Sequence, residues 1–562
     1  MKHRILLAGI VLMCVAAVVV SERRKGDAPA SPAAILYLVA DTEHELTRMP
    51  VVFARMPDSE EIRIGDELAA PYSGKNEREN DADVIAVELY LEQVGRPLAS
   101  RAHRKLPYVF HYLSDSNLIN AFALPGGHVF VGAGLLSLME TEDELAAVIG
   151  HEIEHVDHYH CAERAQQEQA LRKIPLGGLI GLPLEVFEAG YSKDQELEAD
   201  REGTRLAVEA GYSPNGAIRM FETLDRLHKA YMEQESRAGS PQEEAARVAA
   251  QAIEGYFRSH PLSSERIAQI QKIIASEGWS VRAERDLAVA YIFWTAKAHR
   301  ELAGHRYAEA EQLATHTLRL KPDQKEALQV LADAQFAQAN FAAAAGSYRK
   351  LLEIGPVNLD VAESYADALA AADRRTASAQ FRQWTGTLKG PQPKEISAAD
   401  AGLALLTGAP EAANQIASQT DRPDPHALQH LGWWFYRNGD FKKSADLLSE
   451  VVQARPNDVA ARSHLALAQI ELRRYADALE TVSDVYGESD EGKRAIVRAL
   501  AQWRSESRDA ALIDFNLALN AQPEWANLNW VKGLYAPAVV QNVEEILAER
   551  ELRRAKARVA RP

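Results

Sequence analysis

Residues 141–155 read TEDELAAVIGHEIEH, and they are the most informative stretch of the chain. Thr141 and Glu144 form a capping-box pattern, which predicts that a helix begins here. Apolar residues then recur at the helical positions 145, 148, 149, 153 and 156. One face of this helix is therefore expected to be buried. We expect the helix to continue to near Pro175.

His151 and His155 lie four residues apart in this helix and therefore share a face, so both imidazoles can hold one metal ion. Glu152 lies beside them, in the position of a general base that activates an attacking water. The alternative is a pair of histidines on a solvated face. The apolar stripe of the helix argues against it, because buried imidazoles need partners. The pattern thus indicates a catalytic zinc site, which requires a third protein ligand.

A second helix offers the missing carboxylate. Ser192 and Gln195 form another capping pattern, and the helix is predicted to run from Ser192 towards Gly211. Glu196 and Asp200 are four residues apart on one face of it. Glu196 completes a two-histidine, one-glutamate ligand set, and Asp200 can accept a hydrogen bond from a ligand imidazole.

Shorter pieces of secondary structure precede and separate these helices. Residues 62–98 have helical spacing with a break near Gly74, and residues 108–113 are predicted as a strand. Residues 120–131 are predicted as a strand, a glycine turn and a second strand. The apolar segment 174–187, broken by glycines and prolines, is interpreted as a packed loop. A flap that faces the substrate or a membrane is the alternative.

Four motifs occur in order along this region: NAFALPGG at 120–127, HEIEH at 151–155, QELEADREG at 195–203 and HPLSSER at 260–266. Together they resemble the signatures of the family forty-eight metallopeptidases, over about residues 70–275. That family includes the prenyl-protein endoproteases and the bacterial HtpX and BepA proteins.

The resemblance implies a gluzincin zinc endopeptidase of α+β class. It implies one zinc ion per chain on three ligands, which are His151, His155 and Glu196. It makes Glu152 the general base and Asp200 a supporting catalytic residue. The multiple membrane helices of the prenyl proteases and HtpX have no counterpart here. This difference argues against prenylated substrates and favours the BepA-like branch with C-terminal repeats.

His260 precedes Pro261 and is predicted to lie in a loop. Relatives of the family carry this motif near the metal. Three roles stay open for His260: a structural hydrogen bond or cap, a fourth metal ligand that keeps the enzyme latent, or a donor to the transition state. We interpret His158, His160 and Cys161 as structural, and Cys161 as a lone thiol.

Beyond about residue 285 the sequence changes to Ala- and Leu-rich helices with a repeat. Tyr307 and Phe341 are 34 residues apart, and so are Phe441 and Tyr475. A proline follows the first three of these aromatic residues by 15 positions. This period is typical of tetratricopeptide repeats, which stack helix pairs side by side. The register slips between residues 357 and 430.

The N-terminus has a basic start, an apolar run over residues 5–20 and a second charged patch. We interpret it as an export signal that is either removed or kept as a membrane anchor. The protein is therefore expected in the periplasm or cell envelope, with membrane contact only through residues 5–20. The 63 Lys+Arg against 80 Asp+Glu leave a net charge of −17, which argues against nucleic-acid binding. Two cysteines, Cys14 and Cys161, exclude a disulfide framework.

The chain as a whole is predicted to be mainly helical. Its segments are a signal peptide or anchor (1–22), a linker (23–60), a zinc metalloprotease domain (61–280), tetratricopeptide repeats (285–390), tetratricopeptide-like repeats (391–540) and a basic tail (541–562). The predicted function is zinc-dependent cleavage of misfolded or stalled envelope proteins, with the repeats recruiting the substrate or an envelope protein complex. The rival interpretation is a repeat scaffold or chaperone-like protein with a silent or latent metal site.

Overall fold

The chain divides into two compact units, Met1–Phe293 and Trp294–Pro562. The computed structural model describes residues 56–72, 81–172, 191–235, 260, 264–390, 393–418, 424–483 and 491–559. The predicted signal or anchor, most of the linker and the apolar segment 174–187 lie outside the described residues. Among the helices that the structure describes, none is both long enough and apolar enough to span a membrane.

The first unit combines a small sheet with helices. Its strands are β1 (Val109–Leu113), β2 (Ala121–Leu124) and β3 (His128–Gly132). Its helices are α1 (Asp58–Ala69), α2 (Ala82–Ala99), α3 (Ala133–Leu136), α4 (Glu142–Asp157), α5 (His160–Arg172), α6 (Lys193–Ala210), α7 (Asn215–Glu235) and α8 (Ser264–Glu277).

The helices that the structure describes from residue 290 onwards include the repeats. They are α9 (Ala290–Ala303), α10 (Tyr307–Leu320), α11 (Lys325–Ala337), α12 (Phe341–Ile354), α13 (Leu359–Ala372), α14 (Arg374–Thr385), α15 (Lys394–Leu406), α16 (Glu411–Ala417), α17 (Pro425–Arg437), α18 (Phe441–Ala454), α19 (Val459–Glu471), α20 (Tyr475–Ser483), α21 (Glu491–Arg504), α22 (Arg508–Ala521), α23 (Leu528–Leu534) and α24 (Pro537–Val559).

The sheet has the order β1-β3-β2, with β3 parallel to β1 and antiparallel to β2. The turn between β2 and β3 is a short 3₁₀ segment, Pro125–Gly127. Gly126 and Gly127 have φ angles of 81° and 107°, which residues other than glycine rarely adopt. The predicted strand, glycine turn and strand are therefore confirmed, and β2 lies at one edge of the sheet that the described strands form.

Helix α4 begins where the sequence predicts but ends early. In its capping box the backbone N–H of Glu144 donates to Thr141 Oγ1 at 3.2 Å, and the N–H of Thr141 donates to Glu144 Oε2 at 2.8 Å. The expected continuation to near Pro175 was wrong. Tyr159 adopts a φ of 64°, which turns the chain, and a separate helix starts at His160. The sequence carries no glycine or proline at this break.

Helices α4 and α6 cross in backbone contact. A Cβ added at Gly203 in α6 would lie 2.6 Å from the backbone nitrogen of His151 in α4. A Cβ added at Gly150 would lie 2.7 Å from the carbonyl oxygen of Gly203. Neither position has room for a side chain, because real Cβ contacts are longer. This close crossing brings the polar face of α6 onto the two histidines of α4.

The second unit repeats one turn conformation. Four helices begin at the aromatic residues of the predicted period: Tyr307, Phe341, Phe441 and Tyr475. Two positions before each start the backbone has a positive φ, at His305 (59°), Ala339 (64°), Gly439 (87°) and Arg473 (60°). The predicted 34-residue helical repeat is thus present in the structure. Three of these four turns are made without glycine, so the helix packing on either side must hold them in place.

Replacing Gly203 by alanine is expected to separate α4 from α6. The overpacking should cost about 1–3 kcal/mol of unfolding free energy, measured by urea denaturation, and should weaken zinc binding. Gly346 in α12 is the matched control, since an added Cβ meets no atom within 4 Å. Gly346→Ala should stabilise the protein by up to about 1 kcal/mol, because alanine favours helix. Equal effects of the two substitutions would contradict the close crossing.

Candidate metal centre

Four polar side chains of the first unit meet at one buried point. His151 and His155 come from α4, Glu196 comes from the first turn of α6, and His260 lies outside the helices. Each offers one ligand atom, and these atoms all lie within 4.8 Å of one another. The Nε2 atoms of His151 and His155 are 3.0 Å apart. Nδ1 of His260 lies 3.3 Å from His151 Nε2 and 3.2 Å from Glu196 Oε1.

The protonation states of His155 and Glu196 suit a metal ion. Burial lowers the pKa of His155 well below its ordinary value, so this imidazole is neutral at pH 7. Burial opposes ionisation of Glu196, but the charges of Arg266 and His260 outweigh it and hold the Glu196 pKa well below its usual value. Imidazole nitrogens and an ionised carboxylate that converge on one point are the donor set that zinc takes. The residues present therefore fit a zinc ion.

A buried arginine orders the carboxylates behind this set. Arg266 Nε and Nη2 donate to Asp200 Oδ2 and Oδ1 at 2.6 and 2.7 Å, and Arg266 Nη1 lies 2.9 Å from Glu196 Oε2. Asp200 Oδ1 in turn lies 2.9 Å from Nδ1 of His151. Burial raises the pKa of Asp200, but the guanidinium outweighs this and holds that pKa below its usual value. Asp200 can therefore orient the imidazole of His151 as a carboxylate.

The turn after α4 brings a further histidine to the site. His160 Nδ1 lies 3.0 Å from His155 Nδ1, and His160 Nε2 lies 3.4 Å from Glu198 Oε2. Tyr191 stacks on the His155 ring, with 3.8 Å between ring centroids. The Cys161 thiol lies 3.3 Å from the Tyr191 hydroxyl, and it is a free thiol, as the sequence indicates. His160 therefore contacts the candidate ligand His155 directly.

Glu152 and His260 lie on the other side of the cluster. Burial raises the pKa of Glu152, and its Oε2 atom has no hydrogen-bond partner in the part of the chain that the structure describes. Nε2 of His260 lies 3.4 Å from Glu152 Oε1 and 3.4 Å from the carbonyl oxygen of Ala121 in edge strand β2. One imidazole therefore contacts two candidate ligands, the candidate base and the edge of the sheet.

All six site residues singled out by the sequence lie in this cluster or in contact with it. The structure adds three that sequence reasoning had not placed there: His160, Tyr191 and Arg266. Arg266 belongs to the HPLSSER motif, so the motif was a signal for it. Nothing in the sequence signalled Tyr191, because it is far along the chain from His155, the histidine on which it stacks.

Two helices that present an HExxH pair and a glutamate to one buried point, beside a sheet with an edge strand, define a metallopeptidase type of fold. Residues 85–274 match the family model "Peptidase family M48", and residues 435–502 match the tetratricopeptide repeat. The chain therefore contains a peptidase family M48 domain followed by C-terminal tetratricopeptide repeats.

Curated relatives agree with this assignment. The chain is 28% identical over 280 residues to a beta-barrel assembly-enhancing protease homologue of Vibrio cholerae. The matched region covers 43% of this chain and 57% of that protein. The chain is 27% identical over 186 residues to the beta-barrel assembly-enhancing protease of Escherichia coli (strain K12), which covers 29% and 37%. It is 34% identical over 148 residues to the mitochondrial metalloendopeptidase OMA1 of Schizosaccharomyces pombe, which covers 24% and 44%. The chain thus matches between 37% and 57% of the length of these relatives.

Replacing Arg266 by glutamine is expected to leave two buried carboxylates without their cation. The loss should be about 3–5 kcal/mol of unfolding free energy, together with a roughly 10–100-fold weaker zinc affinity. Chemical denaturation and a zinc-competition assay measure the two effects. Arg266→Lys, which keeps one positive charge, should lose less.

The matched control is Arg201→Gln on α6, because Arg201 pairs with Glu202 at 2.7 Å while its side chain is 43% exposed. This change should cost about 1 kcal/mol or less and leave zinc affinity unchanged. A loss as small at Arg266 as at Arg201 would show that the buried pairing has little influence on the site.

Proposed function

We propose that the chain is a zinc-dependent endopeptidase that cleaves misfolded or stalled proteins of the cell envelope. The convergence of His151, His155 and Glu196 beside Glu152 carries the proposal. These first three residues would hold the metal. A zinc ion bound there would lower the pKa of a water molecule towards 7 and polarise the scissile carbonyl.

Glu152 has the features of the general base. Its carboxylate is buried, this burial raises its pKa, and one of its oxygens is unengaged within the described residues. It would take a proton from the attacking water and later deliver it to the departing amine. Asp200 would keep the His151 ring oriented throughout, and Arg266 would keep Asp200 in place.

An extended substrate would add to the sheet at β2. Backbone hydrogen bonds to an edge strand provide affinity with little sequence selectivity, which suits a protease that acts on unfolded chains. The carbonyl of Ala121 on this edge is 3.4 Å from His260. A peptide that pairs with β2 would therefore compete with this histidine for the same carbonyl.

We assign His260 the role of a latent-state ligand. Its distances to His151 and Glu196 suit a fourth donor, and a fourth protein donor would close the position that a catalytic zinc keeps open. Its contact with Glu152 would also engage the general base. The purely structural role and the role of a transition-state donor are the outcomes that would replace this assignment.

The proposed envelope setting and the role of the repeats are supported by the relatives and by the sequence. Several relatives are named as beta-barrel assembly-enhancing proteases, and others as mitochondrial metalloendopeptidases. The predicted export segment at residues 1–22 favours the bacterial envelope for this chain. The repeats would recruit the polypeptide substrate or an envelope protein complex, since stacked helix pairs provide extended protein-binding surfaces.

Glu152→Gln tests the peptidase directly. The full-length chain and this variant are incubated with an unfolded model protein, and the zinc content of both is measured. Cleavage should fall roughly 10²–10⁴-fold while zinc content stays the same. Glu209→Gln, an exposed position on α6, should behave like the parent. Equal cleavage by the Glu152 variant would refute the assigned base, and a lack of zinc in all proteins would favour the scaffold interpretation.

His260→Ala tests latency in the same assay. Removal of the fourth donor should raise the cleavage rate severalfold, with zinc content and unfolding midpoint nearly unchanged. A lower rate at unchanged stability would make His260 a transition-state donor instead. A lower stability without any gain in rate would make its role structural.

A further inference from the structure

A second group of metal-ligating side chains lies in the repeat unit, far along the chain from the HExxH motif. His426 and His430 come from α17, and Glu363 comes from α13. Each offers one ligand atom, and the three atoms all lie within 4.8 Å of one another. Oε1 of Glu363 lies 2.6 Å from Nε2 of His430 and 3.9 Å from Nδ1 of His426.

The two histidines are four residues apart on one helix, with 4.7 Å between their ring centroids. This is the same spacing that lets two imidazoles of a helix hold one ion. The approach of His430 to Glu363 does not have the alignment of a hydrogen bond. Oε1 of Glu363 is buried and has no hydrogen-bond partner in the described part of the chain. Glu363 Oε1 therefore contacts His430 Nε2 directly, and the ligand atom of His426 lies close enough for all three to surround one ion.

The next turn of the same two helices holds this convergence in place. Arg437 donates to Asp367 Oδ1 at 2.7 Å, and the indole N–H of Trp433 donates to the same oxygen at 3.3 Å. The Arg437 side chain is fully buried. Asp367 follows Glu363 by one turn of α13, and Trp433 follows His430 by one turn of α17. The register between the two helices is therefore fixed beside the cluster, which preorganises the donors.

The cluster is accessible as well as ordered. The side chains of His426, His430 and Glu363 are 39%, 20% and 17% exposed. An ion can therefore enter, and water can complete its coordination. Two imidazoles and one carboxylate suit zinc and similar transition-metal ions, whereas calcium and magnesium prefer all-oxygen sites.

We propose that Glu363, His426 and His430 form a second divalent transition-metal site, separate from the centre at His151. The ion would cross-link α13 to α17. These helices lie near the two ends of the segment where the 34-residue register slips. Residues about 60 positions apart in sequence would be joined, which restrains the chain across the irregular part of the repeats. This inference does not depend on the peptidase activity.

The experiment counts metal ions on the metal-stripped full-length chain titrated with Zn²⁺, all versions carrying Glu152→Gln to prevent self-cleavage. The reference protein should bind two ions. His426→Gln with His430→Gln should remove one ion, and His151→Gln with His155→Gln should remove the other. The four-fold combination should bind none. His299→Gln, at an exposed position on α9, is the control for loss of a helical histidine and should bind two.

Two results would overturn the proposal. One is unchanged stoichiometry after the His426 and His430 substitutions, and the other is loss of all zinc after the His151 and His155 substitutions alone. In the second case the contacts of Glu363 with the histidines are only an ion pair. A thermal readout separates binding from folding: Zn²⁺ should raise the unfolding temperature of the His151/His155 variant but not of the four-fold variant. Glu363→Gln is a milder change and should weaken binding at the repeat site at least tenfold while circular dichroism stays unchanged.

Discussion

The crossing of α4 and α6 at Gly150 and Gly203 is the constraint on which the centre depends. The two backbones touch there, and no side chain fits between them. Because Asp200 and Glu196 lie about one and two turns before Gly203 on α6, the crossing determines their distance from the histidines of α4. A wider crossing would keep both helices and their caps intact but separate the donors. The geometry of the site thus depends first on the packing of the two helices and only then on the identity of the ligands.

The charge balance of the centre follows from this packing. Three carboxylates, Glu152, Glu196 and Asp200, are buried together, and one guanidinium, that of Arg266, faces two of them. Uncompensated buried charge is costly, so a cluster with more anions than cations favours a bound cation or uptake of protons. The raised pKa of Glu152 and the lowered pKa values of the other two show how the imbalance is divided. The Glu196 carboxylate, whose pKa is lowered, lies where a divalent ion would neutralise it.

Much of this arrangement could be predicted from the sequence because it is encoded locally. The capping residues Thr141 and Ser192 mark the starts of α4 and α6, and Gly211 marks the end of α6 with a φ of 100°. Such capping signals need only neighbours within a few residues. The 34-residue aromatic period predicted the repeats, because a repeat shows in the sequence without any knowledge of its packing.

The features that were missed depend on contacts distant in sequence. The break at Tyr159 uses a left-handed conformation that its own side chain does not favour, and the surrounding packing must impose it. The same break turns His160 back onto His155. Arg266 contacts two carboxylates on another helix, and no local sequence pattern predicts which distant residues a side chain will contact. The assignments made for residues 1–55 and 174–187 fall outside the described residues and stay predictions.

His260 contacts both the edge of the sheet and the ligand cluster, with Nε2 near the Ala121 carbonyl and Nδ1 near Glu196. If the imidazole of His260 moves away from one of these partners, its contact with the other partner changes as well. Binding at the strand edge and at the ligand cluster is therefore thermodynamically linked. A molecule that displaces the His260 ring from the Ala121 carbonyl also weakens the contact of the ring with Glu196, and the reverse holds equally. A peptide that pairs along β2 would meet this ring at the Ala121 carbonyl, so pairing at the strand edge would loosen the contacts of the ring with the ligand cluster.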